Sequence, residues 1–263
     1  MKKKELGHVP EVEFRMDNQG IGRIVLNRPE KLNAITKAMT RSLHHVIDEA
    51  ASFEGIKALT ITGAGGKAFC AGGDLTELHG NMNAEEAYLV LSPMKEALLK
   101  LARFPVPTIA LLNGQARGGG CEIATACDFR YGTEEGTFGF VQASLGITPG
   151  WGGGALLFRR IQPTYASHWL TDASMYDAFT AKRIGWLNNL LPQASLQKWE
   201  EDTEFTNRSS SQMKWFKKQL LAALRSEEFD QLMEEEVKQC AALWEEEDHK
   251  RAVEKFLKTR KKS

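Results

Sequence analysis

The feature that most constrains the fold of this chain is a repeated order of strand, glycine-rich turn and helix, which continues to about residue 190. The turns at residues 69–74 (FCAGGD) and 118–122 (GGGCE) each stand where an extended segment gives way to a helix. A helix between two strands of one sheet makes a crossover connection, and crossovers join parallel strands. We therefore predict an α/β fold with largely parallel sheets.

Local patterns predict the individual elements. Alternating apolar and polar residues at 12–17 and 21–27, on either side of Asn-Gln-Gly, indicate a β-hairpin. Thr36 and Asp74 are typical helix N-caps, and Asn83 starts a longer helix. The helices that begin at Thr36 and Asn83 should end near residues 53 and 104, and further strands are predicted at 57–62, 107–113, 128–131 and 137–140.

The composition changes in the last quarter of the chain. Residues 195–260 are almost free of Pro and Gly and rich in Glu, Lys, Leu and Trp, which predicts an all-helical region. We divide the chain into a core at residues 1–192 and a C-terminal helical region at 193–263. The glutamate runs at 234–236 and 245–247 are typical of solvated helix faces.

Charge and cysteine content exclude several classes of protein. Lys plus Arg and Asp plus Glu both number 34, and a chain without net charge lacks the electrostatic footprint of a nucleic-acid-binding protein. The four cysteines form no Cys-x-x-Cys pair, so we expect no metal site and no disulfide framework. No apolar run reaches the roughly 20 residues that span a bilayer, and residues 6–12 do not resemble the apolar part of a signal peptide. We therefore expect no membrane insertion and a cytoplasmic location.

The two glycine turns carry the chemistry that the residues alone suggest. A helix start leaves backbone N–H groups unpaired, its dipole favours negative charge, and glycine lets a ligand approach the backbone closely. Two such turns facing one another make an oxyanion hole, while tight helix packing is the structural alternative. Glu122, after the second turn, is either a partly desolvated acid suited to proton transfer or a first-turn carboxylate that complements the helix dipole. The residues alone leave these alternatives open.

Three segments share the residues, order and spacing of known motifs: LNRPEKLNA at 26–34, FCAGGDL at 69–75 and NGQARGGGCE at 113–122. In them the chain resembles the crotonase superfamily, also called the enoyl-CoA hydratase/isomerase family, over nearly its whole length. The resemblance implies a spiral of ββα units with two roughly perpendicular sheets, and C-terminal helices that assemble homotrimers or homohexamers. It also implies an acyl-CoA thioester as substrate, with coenzyme A as part of the substrate and no further cofactor.

The resemblance further implies which residues bind the thioester and act on it. The main-chain N–H groups of Ala71 and Gly119 correspond to the oxyanion hole, and Glu122 corresponds to a catalytic acid. The other residues implied to contact the substrate are Gly72, Gly73 and Asp74 along the thioester, and Lys31, Leu32 and Ala34 near the adenine and phosphates of coenzyme A.

Two positions depart from the pattern of enoyl-CoA hydratases. Those enzymes resemble one another in a second glutamate within F-G-x-x-E-x-x-x-G, and the matching residue here is Gln142, which cannot exchange a proton at physiological pH. Loss of one acid–base group removes a contribution of about 10²–10⁴-fold, which argues against efficient hydration. Trp151 stands in the turn PGWGG where the family often has a small residue, and it either packs beneath the turn or narrows the acyl pocket.

We predict an acyl-CoA lyase or isomerase of the enoyl-CoA hydratase/isomerase type, which stabilises a thioester enolate and acts on short or branched acyl groups. Residues 125–130 and 146–153 look like the ethylmalonyl-CoA decarboxylase branch, which also lacks the second glutamate. Decarboxylation of ethylmalonyl- or methylmalonyl-CoA is therefore the alternative. A non-catalytic protein that binds CoA thioesters is a second alternative, but such a protein needs no desolvated acid such as Glu122.

The C-terminal region carries more apolar surface than short helices with one solvated face usually bury within one chain. Together with the family resemblance, this predicts a closed trimer or hexamer. The large apolar residues concerned are Trp199, Phe205, Trp215, Phe216, Leu232 and Trp244.

Overall fold

The structure is a computed structural model, and it describes residues 10–78, 82–224 and 228–260. Within this part the chain forms ten strands and twelve α-helices, and the strands make up two mixed sheets. The first nine residues, in which the sequence predicts no signal peptide, lie outside the described ranges. The predicted α/β class is confirmed.

The strands, in chain order, are β1 (Val12–Met16), β2 (Ile21–Leu26), β3 (Ala58–Gly63), β4 (Ala68–Cys70), β5 (Thr108–Leu112), β6 (Gln115–Arg117), β7 (Phe129–Gly132), β8 (Thr137–Gly139), β9 (Tyr176–Asp177) and β10 (Asn189–Leu190). The larger sheet has the order β1-β2-β3-β5-β7-β10, and the smaller sheet has the order β4-β6-β8-β9. The β1–β2 hairpin and the β8–β9 pair are antiparallel, and the other pairs of described strands are parallel. The alternation of strands and helices thus predicted the dominant strand direction correctly.

The helices are α1 (Lys37–Ala51), α2 (Leu75–Leu78), α3 (Ala84–Ala102), α4 (Gly119–Ala126), α5 (Gly153–Arg160), α6 (Pro163–Asp172), α7 (Ala178–Arg183), α8 (Gln193–Gln197), α9 (Trp199–Asp202), α10 (Ser210–Leu224), α11 (Glu228–Trp244) and α12 (Glu247–Arg260). Short 3-10 turns lie at Pro29–Lys31, Gln142–Leu145 and Glu204–Asn207. The described residues after 192 are therefore helical, as predicted.

Hydrogen bonds explain where two of the predicted helices begin. The hydroxyl of Thr36 accepts from the N–H of Met39 at 3.0 Å. At the start of α3, the Asn83 side chain accepts from the N–H of Glu86 at 2.9 Å, and the Glu86 carboxylate accepts from the N–H of Asn83 at 3.0 Å. This reciprocal pair satisfies two N–H groups that the helix leaves unpaired.

Two strands that position the site were not predicted. Strands β4 and β6 have three residues each and pair in parallel with one another. Three residues are too few to show the alternation by which a strand is recognised. Because β4 leads into the turn at 69–74 and β6 into the turn at 118–122, their pairing brings the two glycine turns side by side.

The C-terminal helices pack onto the core. Trp199 lies in an apolar cluster with Ile109 and Leu111 of β5, and Met233 and Val237 of α11 lie in the main core. The division of the chain at residue 192 stays a prediction. Within the described residues, no helix combines the length and the apolar character that crossing a membrane requires.

One prediction about this region is wrong. In the glutamate run at 234–236, the carboxylate of Glu234 accepts a hydrogen bond from the hydroxyl of Tyr88 at 2.6 Å, and Glu236 accepts from N–H groups of α5. Only the middle residue is exposed. The run at 245–247 is exposed, as predicted. The first run departs from expectation because α11 packs against both α3 and α5.

Large apolar side chains on α10 and α11 remain exposed. The exposed fractions are 55% for Trp215, 52% for Phe216 and 44% for Leu232, whereas Trp199 and Trp244 are buried. Large exposed apolar side chains of this kind are typical of a face that contacts another protein.

Candidate active site

The two glycine turns meet in space. A Cβ atom built on Gly72 would lie 2.9 Å from the carbonyl oxygen of Arg117 and 3.2 Å from the nitrogen of Gly119. Gly72 and Gly118 have φ angles of +96° and +52°, which glycine adopts without steric cost. Both turns line one cavity of about 130 Å³. Apolar parts of its wall include Leu78, Leu91, Leu145, Ile147, Trp151 and Trp244.

The structure changes one of the two predicted oxyanion donors. The N–H of Ala71 donates to the carbonyl oxygen of Leu32 at 3.0 Å, so it is not available to a thioester oxygen. Among the described residues, the N–H groups of Gly73 and Gly119 have no acceptor, and both residues line the cavity. The first motif did not reveal this, because it does not show that the carbonyl oxygen of Leu32 accepts from the Ala71 N–H.

The indole of Trp151 lies across both donor turns. A Cβ atom built on Gly119 would lie 2.1 Å from Cζ3 of Trp151, and one built on Gly73 would lie 3.5 Å from Cζ2. The side chain is buried and lines both this cavity and a second one, of about 320 Å³, whose other lining residues lie on α1, α2 and α3. The indole therefore packs against the turns and also limits the size of the cavity.

Glu122 is buried in the cavity wall and holds the N-terminus of α5. Its Oε2 accepts from the N–H groups of Trp151 at 2.8 Å and Gly153 at 2.9 Å, and Oε1 accepts from Nε2 of Gln142 at 2.9 Å. Burial raises the pKa of this carboxyl group, and the hydrogen bonds oppose the rise only in part. A carboxyl group of raised pKa can hold a proton and deliver it near neutral pH. It does complement a helix dipole, but that of α5 rather than that of its own helix.

Gln142, which stands where enoyl-CoA hydratases have the second glutamate, is also buried in this wall. Its Nε2 donates to Oε1 of Glu122, and its Oε1 has no partner within the described residues. Of the described residues that line the cavity, Glu122 is the only carboxylate. The cavity therefore combines one titrating carboxyl group with one amide that cannot titrate.

The segment implied to bind the adenine and phosphates is joined to the first glycine turn. The N–H of Ile35 donates to the carbonyl oxygen of Gly72 at 2.8 Å. Lys31, Leu32 and Ala34 precede this contact, and none of them lines the cavity. They lie on the loop that supports the turn, and their contact with coenzyme A stays a prediction.

Asp74 has a structural role in the same turn. Its Oδ1 accepts from the N–H of Thr76 at 3.0 Å, which confirms it as the cap of α2, and its Oδ2 pairs with Arg28 at 3.0 Å. Burial opposes ionisation of this carboxyl group, but the bonds from Thr76 and Arg28 outweigh burial and lower its pKa. The carboxylate is thus committed to holding the loop.

Sequence reasoning missed Glu236, whose carboxylate approaches the N-terminus of α5 from α11. A signal was present in the sequence. Met233 lies three residues before Glu236 and Cys240 lies four residues after it, and both side chains are buried. That spacing puts Glu236 on the apolar stripe of the helix. Among the described residues, no group of three or more His, Cys, Asp and Glu could hold a metal ion.

Comparison with solved structures shows the same fold. An enoyl-CoA hydratase/isomerase from Xanthobacter autotrophicus Py2 superimposes with a TM-score of 0.85 at 24% identity, covering 95% of this chain and 94% of that one. An enoyl-CoA hydratase from Bacillus halodurans superimposes with a TM-score of 0.84 at 24% identity, covering 94% of this chain and 100% of that one. The family model for enoyl-CoA hydratase/isomerase matches residues 16–263. The chain belongs to the enoyl-CoA hydratase/isomerase family.

Relatives within this family are named for different reactions. Ethylmalonyl-CoA decarboxylase of Xenopus tropicalis is 36% identical over 177 residues, which are 67% of this chain and 58% of that protein. Short-chain-enoyl-CoA hydratase of Clostridium acetobutylicum is 35% identical over 173 residues, 66% of each chain. The chain spans between 58% and 63% of the length of three decarboxylase relatives. Because the identities are nearly equal, the reaction has to be argued from the site.

Proposed function

We propose that this member of the enoyl-CoA hydratase/isomerase family decarboxylates a short-chain 2-alkylmalonyl-CoA thioester, of which ethylmalonyl-CoA is an example. The observation that carries the proposal is that Glu122 is the only carboxylate in the described cavity wall and that Gln142 is bonded to it. Hydration of an enoyl thioester needs two groups that exchange protons, whereas loss of CO₂ forms an enolate without a base. The similarity to ethylmalonyl-CoA decarboxylases supports the same choice.

The first step is binding of the thioester carbonyl. Its oxygen accepts hydrogen bonds from the N–H groups of Gly73 and Gly119, which have no other acceptor within the described chain. Negative charge grows on this oxygen as the enolate forms, so the two donors bind the transition state more tightly than the substrate. Each is expected to contribute about 3–4 kcal/mol.

The second step is loss of CO₂. The electron pair of the bond between C2 and the carboxylate moves into the C1–C2 bond, the thioester oxygen becomes the enolate oxygen, and neutral CO₂ leaves. Leu78, Leu91 and Ile147 form an apolar part of the wall, and a carboxylate directed at it receives no hydrogen bond from their side chains. Such surroundings disfavour the charged substrate relative to the neutral product.

The third step is protonation of C2. The protonated carboxyl group of Glu122 gives its proton to C2 of the enolate and becomes a carboxylate. The N–H groups of Trp151 and Gly153 stabilise this charge at 2.8 and 2.9 Å. A proton from solvent then restores the acid. No cofactor is needed beyond the coenzyme A of the substrate.

A single buried carboxyl group of raised pKa favours isomerisation as the second candidate. Glu122 would remove a proton from C2 of a 3-enoyl-CoA and return it to C4, with the same two N–H groups holding the enolate. This reaction also needs only one group that exchanges protons, so a second carboxylate is not required.

The deciding experiment is to incubate the protein separately with ethylmalonyl-CoA, a 3-enoyl-CoA and crotonyl-CoA in D₂O. Mass spectrometry then shows whether CO₂ is lost, a double bond moves or water is added. We expect loss of CO₂ from ethylmalonyl-CoA, with one deuterium at C2 of the product. Hydration of crotonyl-CoA at a higher kcat/KM than either other reaction would overturn the proposal.

Replacing Trp151 by alanine is expected to enlarge the range of acyl groups that are accepted. The indole lines both the catalytic cavity and the second cavity beside α1 and α3, so its loss is expected to open the first toward the second. We expect the kcat/KM of a butylmalonyl thioester relative to ethylmalonyl-CoA to rise by about 10-fold or more, since each methylene is worth about 1–3 kcal/mol in an apolar pocket. Phe179→Ala, on an exposed surface of α7, is the control and should leave the ratio unchanged. An unchanged ratio in Trp151→Ala would show that another wall sets acyl size.

We also propose that the protein is a homotrimer or homohexamer, supported by the exposed side chains of Trp215, Phe216 and Leu232. Light scattering at micromolar concentration is expected to give three or six times the 29.4 kDa mass of one chain. A monomeric mass would contradict this. All four cysteines are unpaired and buried, which fits the proposed cytoplasmic location.

A further inference from the structure

Two carboxyl groups from different helices bind the N-terminus of α5. Glu122 of α4 accepts from the N–H groups of Trp151 and Gly153. Glu236 of α11 accepts from the N–H groups that follow directly in the chain. The N–H groups of residues 153–155 belong to the first turn of α5, which leaves them unpaired, and Trp151 directly precedes the N-cap Gly152. One helix end therefore serves two anionic groups.

The approach of Glu236 is as close as that of Glu122. Its Oε1 accepts from the N–H of Gly154 at 3.0 Å and its Oε2 accepts from the N–H of Ala155 at 2.6 Å. A Cβ atom built on Gly154 would lie 2.6 Å from Oε2 of Glu236, and one built on Gly153 would lie 2.3 Å from Cγ of Glu122. Both carboxyl groups reach the turn because neither of these residues has a side chain.

Among the described residues, no cation bonds to Glu236. On the facing helix α3, the ammonium group of Lys95 pairs with other glutamates, at positions 96 and 234. On α5, the guanidinium of Arg159 lies over an aromatic ring. The titratable groups that act on Glu236 are therefore Glu122 of α4 and, one turn along α11, the buried thiol of Cys240. The strongest charged neighbour of Glu236 has the same sign.

Both carboxyl groups bind protons more readily than an ordinary glutamate. Burial, and after it the charge of Glu122, raises the pKa of Glu236 to about 8. Burial also raises the pKa of Glu122. Two ionised carboxylates at one helix end repel each other, which favours the state in which one of the two holds a proton.

We propose that Glu236 is a positioning residue that keeps a proton available at Glu122, because the two carboxyl groups bind neighbouring N–H groups at one helix N-terminus and no cation of the described residues bonds to Glu236. This rests on the proposed function, in which Glu122 delivers a proton to C2. When Glu122 gives up its proton, a proton from solvent enters the pair and restores its single negative charge. Glu236 does not line the cavity, so it acts through Glu122 and not on the substrate.

The proposal is tested first without substrate, on the full-length protein. Infrared spectroscopy of the carboxylic acid C=O stretch is recorded from pH 5 to pH 10 for the wild type, Glu236→Gln and Glu122→Gln. In the wild type we expect a carboxylic acid that persists to neutral pH. In Glu236→Gln the remaining acid, Glu122, loses its like-charged neighbour, and its titration is expected to move down by about one pH unit or more.

The matched control is Glu235→Gln, because Glu235 is the exposed neighbour on the same helix. Its titration is expected to match the wild type. Coupling is reciprocal, so Glu122→Gln is expected to lower the titration of Glu236 as well. If Glu236→Gln does not fold, the spectrum of Glu122→Gln alone tests whether the two carboxyl groups are coupled. A wild type with no carboxylic acid at neutral pH, or unchanged titration in the variants that fold, would overturn the proposal.

The second readout is the pH profile of kcat in D₂O. Glu122 controls one limb of the kcat profile, whether it acts as acid or as base. In Glu236→Gln we expect this limb to move to lower pH by the same shift as the infrared titration. A merely structural role would lower kcat at every pH and leave the limb in place, which would count against the proposal. Absence of turnover with every thioester would refute the proposed reaction and leave the infrared result standing.

Discussion

Replacing Glu122 by glutamine is expected to slow proton transfer at C2 by about 10²–10⁴-fold, because the amide keeps the shape of the side chain but cannot exchange a proton. The measurement is exchange of the C2 proton of butanoyl-CoA with D₂O, followed by mass spectrometry. In ethylmalonyl-CoA decarboxylation we expect a different response. Since CO₂ loss needs no base, CO₂ release should fall by less than about 10-fold, while C2 of the product is deuterated with loss of stereospecificity.

The surroundings of Glu122 tolerate this substitution. The oxygen of the new amide can accept from the N–H groups of Trp151 and Gly153, as Oε2 of Glu122 does. Its NH₂ group would then face the side chain of Gln142, whose Oε1 has no partner within the described chain, at the cost of the long bond of 3.4 Å from the N–H of Gly150 to Oε1 of Glu122. Rotation of that amide supplies the acceptor. Affinity for the CoA thioester is therefore expected to stay within a few-fold of the wild type, and unimpaired C2 exchange would disprove the role of Glu122.

The parts of this molecule that sequence predicts are those fixed by neighbours in the chain. Thr36 and Asn83 were identifiable because each caps a helix through an N–H three residues away. The second glycine turn, the start of α4 and the position of Glu122 depend on five consecutive residues. Motif resemblance added the expectation that the two turns meet, which strands β4 and β6 are too short to reveal by themselves.

The parts that sequence reasoning placed wrongly depend on contacts between distant segments. Ala71 was predicted as an oxyanion donor, but its N–H donates to the carbonyl oxygen of Leu32, some forty residues earlier, so the proposed donor is Gly73. Glu236 was predicted as a solvated residue, but it binds α5, about eighty residues earlier. In each case a backbone group elsewhere determines what the residue can do, and no pattern of residue types records that pairing.

Replacing Asp128 by asparagine is expected to destabilise the fold by about 3–5 kcal/mol, because it removes the negative member of a buried ion cluster. The carboxylate accepts from the N–H of Thr108 at 3.0 Å and pairs with Arg160 at 3.2 Å and with Lys217 of α10. The side chain of Lys217 is 1% exposed, so its ammonium group would lose its counter-ion without gaining water. For a chain of this length we expect the thermal unfolding midpoint to fall by roughly 6–20 °C.

A surface pair provides the control for this cluster. Asp230 pairs with Arg103, and both side chains are about half exposed, at 52% and 51%. Asp230→Asn should therefore cost no more than about 1 kcal/mol, because water replaces the lost partner. In Asp128→Asn, adding Lys217→Met removes the stranded cation and is expected to restore part of the lost stability, which a double-mutant cycle measures. If Asp128→Asn changed the midpoint no more than Asp230→Asn does, the attachment of α10 to the core would rest on its apolar contacts and not on the buried ion pair.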